Sequence, residues 1–158
     1  MATTITPATL TVTITAAISL AGQDKGFSHS HTIASIIDVV NRIMEVPTSE
    51  MAVLNFTATN PGSATAIGLN EADVRFIILT NLDDTNFIQI MMQSENSNEC
   101  AHKLEAGHSL MIPISEEGVV DVHDADSSAL TVSFDDLVLV TALADTATCA
   151  LQVFVAGV

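Results

Sequence analysis

Residues 73–93 read DVRFIILTNLDDTNFIQIMMQ, and the fold class turns on them. Two runs rich in β-branched and aromatic residues, 73–80 and 86–93, flank the polar segment NLDDT, which is the pattern of two strands and a five-residue connection. Taken locally, they predict a β-hairpin. Phe76–Leu79 and Phe87–Met92 are apolar on both faces, so these strands are expected to be central, covered on each side or covered on one side by another subunit. Strand signals continue outward in both directions. Residues 51–57 (MAVLNFT) precede the turn-rich stretch around Asn60-Pro61-Gly62, and AHKLEAGHSLMIPI gives two short strands separated by Gly107. Further apolar runs at 118–122, 129–133, 136–142 and 148–156 are divided by acidic turns. Gly107 is expected to take a positive φ, and Pro113 to close its strand because it cannot donate to a ladder. Short strands at regular spacing, without a βαβ rhythm, predict an all-β protein: an antiparallel sandwich or jelly roll of about 8 strands.

The N-terminal residues have a different texture. Leu10, Val12 and Ile14 alternate with Thr9, Thr11, Thr13 and Thr15, as in a half-buried strand. AGQDKGFSHSH, residues 21–31, reads as a polar loop punctuated by Gly22 and Gly26. Residues 33–44, IASIIDVVNRIM, fit helical spacing but are β-branched and run into Val46-Pro47, which favours a strand. The expected organisation is an N-terminal strand or arm over 1–30, able to pair with another subunit, and a β-sandwich domain over 31–158.

Composition excludes several roles. The 158 residues carry 19 acids and 4 bases, a formal net charge of −15, yet 48% are apolar and there is no Trp or Tyr. Six acids and three bases (Lys25, Arg42, Arg75) fall in residues 1–80, a net of −3; thirteen acids and Lys103 fall in 81–158, a net of −12. Phosphate neutralisation requires clustered Lys and Arg, so nucleic acid is not an expected partner. No run of about 18 apolar residues predicts a membrane span, and the Thr-alternating N-terminus does not read as a targeting signal. The acids serve solubility at long range.

Candidate chemistry is sparse. Asp124, Asp126 and Ser128 follow the spacing of a calcium loop, with Asp135 at its twelfth position. Ala129 stands where that loop requires Gly, and Asp135 where it takes a bidentate Glu, so an acidic turn is the better reading. His29 and His31 form an i, i+2 pair within the expected loop, and Cys100 and His102 share a strand parity; neither pair completes a zinc site. His108 and His123 stand apart from them. The carboxylate pairs Asp83-Asp84, Glu116-Glu117 and Asp135-Asp136 are adjacent in sequence and would point to opposite faces of a strand. No nucleophile-elbow, P-loop or dinucleotide motif occurs. The expectation is a non-enzymatic protein with no cofactor. Cys149, in phase with Leu151, Val153 and Val155, is expected to be a buried thiol, and Cys100 an exposed one.

The order of segments in the second half carries a resemblance. The TNLDDTNF turn at Thr80–Phe87 is followed by K-L-x-A-G-x-S-x-x-x-P at Lys103–Pro113. SALTVSFDDLV at Ser128–Val138 and ALADTA…VFVA between Ala142 and Ala156 complete the series. In this series the chain resembles small virion proteins of tailed bacteriophages, marine ones especially, over roughly residues 40–157. The resemblance implies an all-β structural protein present as copies on the particle, with no functional residue to carry over. The leading expectation is a capsid decoration or cement protein on the outside of the head, made in the host cytoplasm. Its expected partners are itself, as a homo-oligomer such as a trimer, and the major capsid protein or another virion protein. The alternatives are a tail, neck or adsorption component, and a calcium-dependent adhesion module.

Overall fold

A computed structural model describes residues 5–57, 68–70, 72–97, 99–113 and 137–158. Strands dominate the described residues, and none of these residues is helical. The chain divides into two units, residues 1–38 with Val158, and residues 39–157.

The first unit is a two-stranded antiparallel ribbon. Strand β1 (Ala8–Ala16) pairs with β4 (Phe27–Ile36), from Leu10↔Ile33 to Ala16↔Phe27. At the tip, β2 (Ser19–Leu20) and β3 (Gln23–Asp24) are joined by Ala21 and Gly22, at φ 51° and 76°. Two successive positive φ values make the tight turn whose twist suits a hairpin. At the other end the register shifts between Ala8 and Leu10, where Ser35 takes φ 63° and forms a bulge. The ribbon thus continues past residue 30 to Ile36. His29 and His31, expected in a loop, lie within β4, opposite Ile14 and Val12. The reason is cross-strand bonding that polar composition disguises: Thr13 and Ser30 share a hydroxyl hydrogen bond of 2.9 Å, and Thr15 and Ser28 one of 3.2 Å.

Among the described residues, the second unit is a sandwich of two sheets. One holds four strands in the order β11-β8-β13-β5: β5 (Asp38–Val46), β8 (Val74–Asn81), β11 (Ser109–Pro113) and β13 (Cys149–Gly157). The other holds five in the order β10-β9-β12-β6-β7: β6 (Met51–Thr57), β7 (Gly68–Asn70), β9 (Ile88–Ser94), β10 (Glu99–Leu104) and β12 (Leu137–Ala144). Leaving aside β7, which adds to β6 in parallel, the chain passes β5, β6, β8, β9, β10, β11, β12, β13. It changes sheet at every step but β9 to β10. Four strands per sheet in this order give the connectivity of a jelly roll. Residues 33–44 are accordingly strand on both sides of Ile37, as their β-branched content predicts.

The hairpin predicted over 73–93 does not form. Strand β8 pairs with β11 and β13, and β9 with β10 and β12, in different sheets. The predicted centrality of both strands does hold. Each has a neighbour on both edges and one face against the opposite sheet, while Ile78 and Met91 on the other face are half-buried, so local pattern was compatible with either pairing. The core is built from Ile77, Leu79, Leu151, Val153 and Val155 on one side and Leu54, Phe56, Ile88, Ile90 and Val140 on the other, all buried. Ala142 and Ala144 face Ile90 and Ile88 across the β9–β12 ladder, small against large. Burying Leu or Ile side chains of this kind contributes about 1.5–3 kcal/mol each.

Candidate assembly surfaces

Three surfaces concentrate the residues with functional potential. The first is the corner that carries the chain from β8 to β9. Asn81 is buried and spends its whole amide there: Nδ2 donates to the carbonyls of Asn86 (2.9 Å) and Leu104 (3.2 Å), and Oδ1 accepts from the Asp83 N–H (3.0 Å). Asp83 Oδ1 accepts the N–H groups of Thr85 (2.8 Å) and Asn86 (2.6 Å). Those two backbone donors hold its carboxyl below the usual aspartate range, since they stabilise the charged form. Thr146 donates to Asn86 Oδ1 at 2.6 Å, and Lys103 stands 4.3 Å above the Phe87 ring while pairing with Glu105 at 2.7 Å. The same corner receives β11: Asn81 N–H donates to His108 O and Gly107 N–H to Asn81 O, with Gly107 at φ 71° as expected. The Thr80–Phe87 and Lys103–Pro113 segments that carried the resemblance therefore meet at one joint. Asp83-Asp84 lies in the turn, where Asp83 accepts two backbone N–H groups and Asp84 the Thr85 hydroxyl.

The second surface is the outward face of the four-stranded sheet. Across β13, β8 and β11, Phe154, Ile78 and Met111 stand in register, and Val39 and Ile43 lie exposed on β5. Phe76, buried, meets Phe154 edge to face at 6.5 Å between centroids. The neighbouring row is polar and bonded within itself: Gln152 Nε2 donates to Asn41 Oδ1 at 3.0 Å, and Thr80 and Ser109 share a hydrogen bond of 2.9 Å. An apolar band bordered by satisfied polar groups is a surface suited to contact, because docking on it strands no donor.

The third surface belongs to the ribbon. One face carries Thr11, Thr13 and Thr15 with Ser28, Ser30 and Thr32. The other carries Leu10, Val12, Ile14 and Ala16 with Phe27, His29, His31 and Ile33. Ile14 is 42% exposed and Phe27 60%. No carboxylate stands on either face of the paired segment. A two-stranded ribbon is marginal in water unless an apolar face is covered.

The remaining candidates are distributed singly. Cys100 and His102 are exposed on β10, at the sheet edge, opposite Met92 and Ile90. Both cysteines are free thiols, Cys100 exposed and Cys149 buried, with burial the main cause raising the Cys149 thiol above its usual range. Beside β12, Glu50, Gln89, Met91, Thr141 and Leu143 line a shallow depression, where the Thr141 hydroxyl donates to Glu50 Oε1 at 2.7 Å. Among the described residues no three His, Cys, Asp or Glu side chains converge. Asp124, Asp126, Ser128 and Asp135, the calcium-loop candidates, and His123 lie outside the described residues. No family model, curated protein or solved structure matches the chain.

Proposed function

We propose that this chain is a non-enzymatic structural protein of a bacteriophage virion, a decoration or cement protein that coats the outside of the head as an oligomer. The observation that carries the reading is the ribbon with its uncovered apolar face, which needs a neighbour to be stable. Three further features support it. Jelly rolls are an architecture used by viral capsid proteins, although the fold alone assigns no function. The exposed band of Val39, Ile43 and Met111 on the sandwich offers a second contact, so one subunit can touch both a copy of itself and the shell beneath. The charge of −15 keeps the free subunit soluble until those faces are covered. The major capsid protein, or another virion protein, is the second partner in this reading.

Labelling the chain on intact particles tests the location. Signal distributed over the head supports a decoration protein. Signal confined to one vertex would instead make it a tail or neck component.

A further inference from the structure

We propose that His29 and His31 are half of a metal site for a divalent transition ion of the zinc class, and that the same pair from a second copy of this chain completes it. Both histidines lie on one face of β4, two residues apart, where successive same-side positions are about 6.6–6.8 Å apart and two imidazoles can converge on one ion. Imidazole nitrogens suit zinc, nickel and copper, and zinc takes four ligands in a tetrahedron. The ribbon itself supplies only two. The residues opposite the pair are Ile14 and Val12, and the next positions along the same face of β4 are Phe27 and Ile33, none of which can ligate.

A second ribbon laid face to face about a twofold axis between the two histidines brings two more imidazoles to the same point. Such a contact is self-complementary by construction, with one patch serving both subunits. Ile14, Val12, Phe27 and Ile33 would surround the ion and exclude water. Charge selects this face for a second copy. Residues 39–158 hold 17 acids and 3 bases, a net of −14, whereas residues 1–38 hold Asp24, Asp38 and Lys25, a net of −1. Two ribbons therefore meet with almost no repulsion between their own side chains. Area explains why an ion is needed. Eight paired rows of two strands present a face of roughly 27 Å by 10 Å, roughly 300 Å² per copy, well below the about 800 Å² per partner of a standard interface. Apolar contact on that scale gives a weak pair, which metal–imidazole bonds would hold.

The inference rests on the reading that the ribbon pairs with a neighbouring subunit, and the experiment separates the two. Sedimentation of the full chain, stripped of metal with EDTA and dialysed, is followed over a range of protein concentrations with and without added Zn²⁺. Wild type is expected to bind one Zn²⁺ per two chains, with self-association at least tenfold tighter in its presence. Co²⁺ in place of zinc should give the intense visible absorption of a tetrahedral nitrogen site. The double variant His29→Ala/His31→Ala should lose the ion and the tightening but keep the weaker metal-free association. Ile14→Arg, which puts a charge on the face without adding a ligand, should lose both. Absence of Zn²⁺ binding, or one ion per chain without a change in mass, overturns the metal site. If Ile14→Arg abolishes association in that case, ribbon pairing still stands; if association survives Ile14→Arg, ribbon pairing falls as well.

Discussion

At the scale of single residues, Asn81 and Asp83 decide where the chain goes. Asn81 anchors the end of β8 to the start of β9 and to the end of β10, and Asp83 closes the turn over two backbone N–H groups. The TNLDDTNF segment is thus an architectural signature, legible as a turn in the sequence. Its role as a corner between sheets depends on contacts with Leu104, His108 and Ala150 that no local window contains. The Asp83 carboxyl titrates below its ordinary value in the folded chain. Its stabilising effect is therefore full above the unfolded-state value of about 4 and is lost as pH falls through the lower folded-state value. Asp83→Asn is expected to lower the Tm at neutral pH, with the gap to wild type narrowing below about pH 4. A gap that stays constant over that range would show that charge at Asp83 contributes nothing.

At the scale of elements, alternation and β-branching made most strands legible, including β1, β6 and β13, but partner choice was not. The 73–93 stretch shows why. A strand apolar on both faces is central, and centrality is satisfied equally by pairing with the next strand or by crossing to the opposite sheet. The decision lies in long-range registers such as Thr80↔Ser109 and Gln152↔Thr80. His29 and His31 illustrate a second blind spot, since Ser, His and Gly in sequence read as loop while Thr–Ser bonds across the ribbon hold it as strand. Because Thr80 and Ser109 are cross-strand partners whose hydroxyls lie 2.9 Å apart, Thr80→Cys/Ser109→Cys meets the spacing of a disulfide. In a Cys100→Ser background, mass spectrometry of the air-oxidised variant should show the loss of two hydrogens. A variant that stays reduced under oxidant would contradict the β8–β11 pairing and with it the jelly-roll order.

At the scale of the molecule, charge and apolar surface divide the labour. Residues 39–158 hold a net charge of −14 and the sandwich's aliphatic core, while residues 1–38 hold −1 and the ribbon's aliphatic face is exposed. In the reading proposed above, these apolar faces would be covered when the subunit meets a particle and its own copies. Composition and segment order in the sequence suggest assembly; the exposed ribbon face and the band on the four-stranded sheet are the surfaces on which the proposed assembly would be made. The most direct test of the virion reading is the stoichiometry of purified particles, measured by quantitative mass spectrometry against the major capsid protein. A decoration protein should be present in numbers comparable to that protein. A handful of copies per particle, or none, would contradict the account.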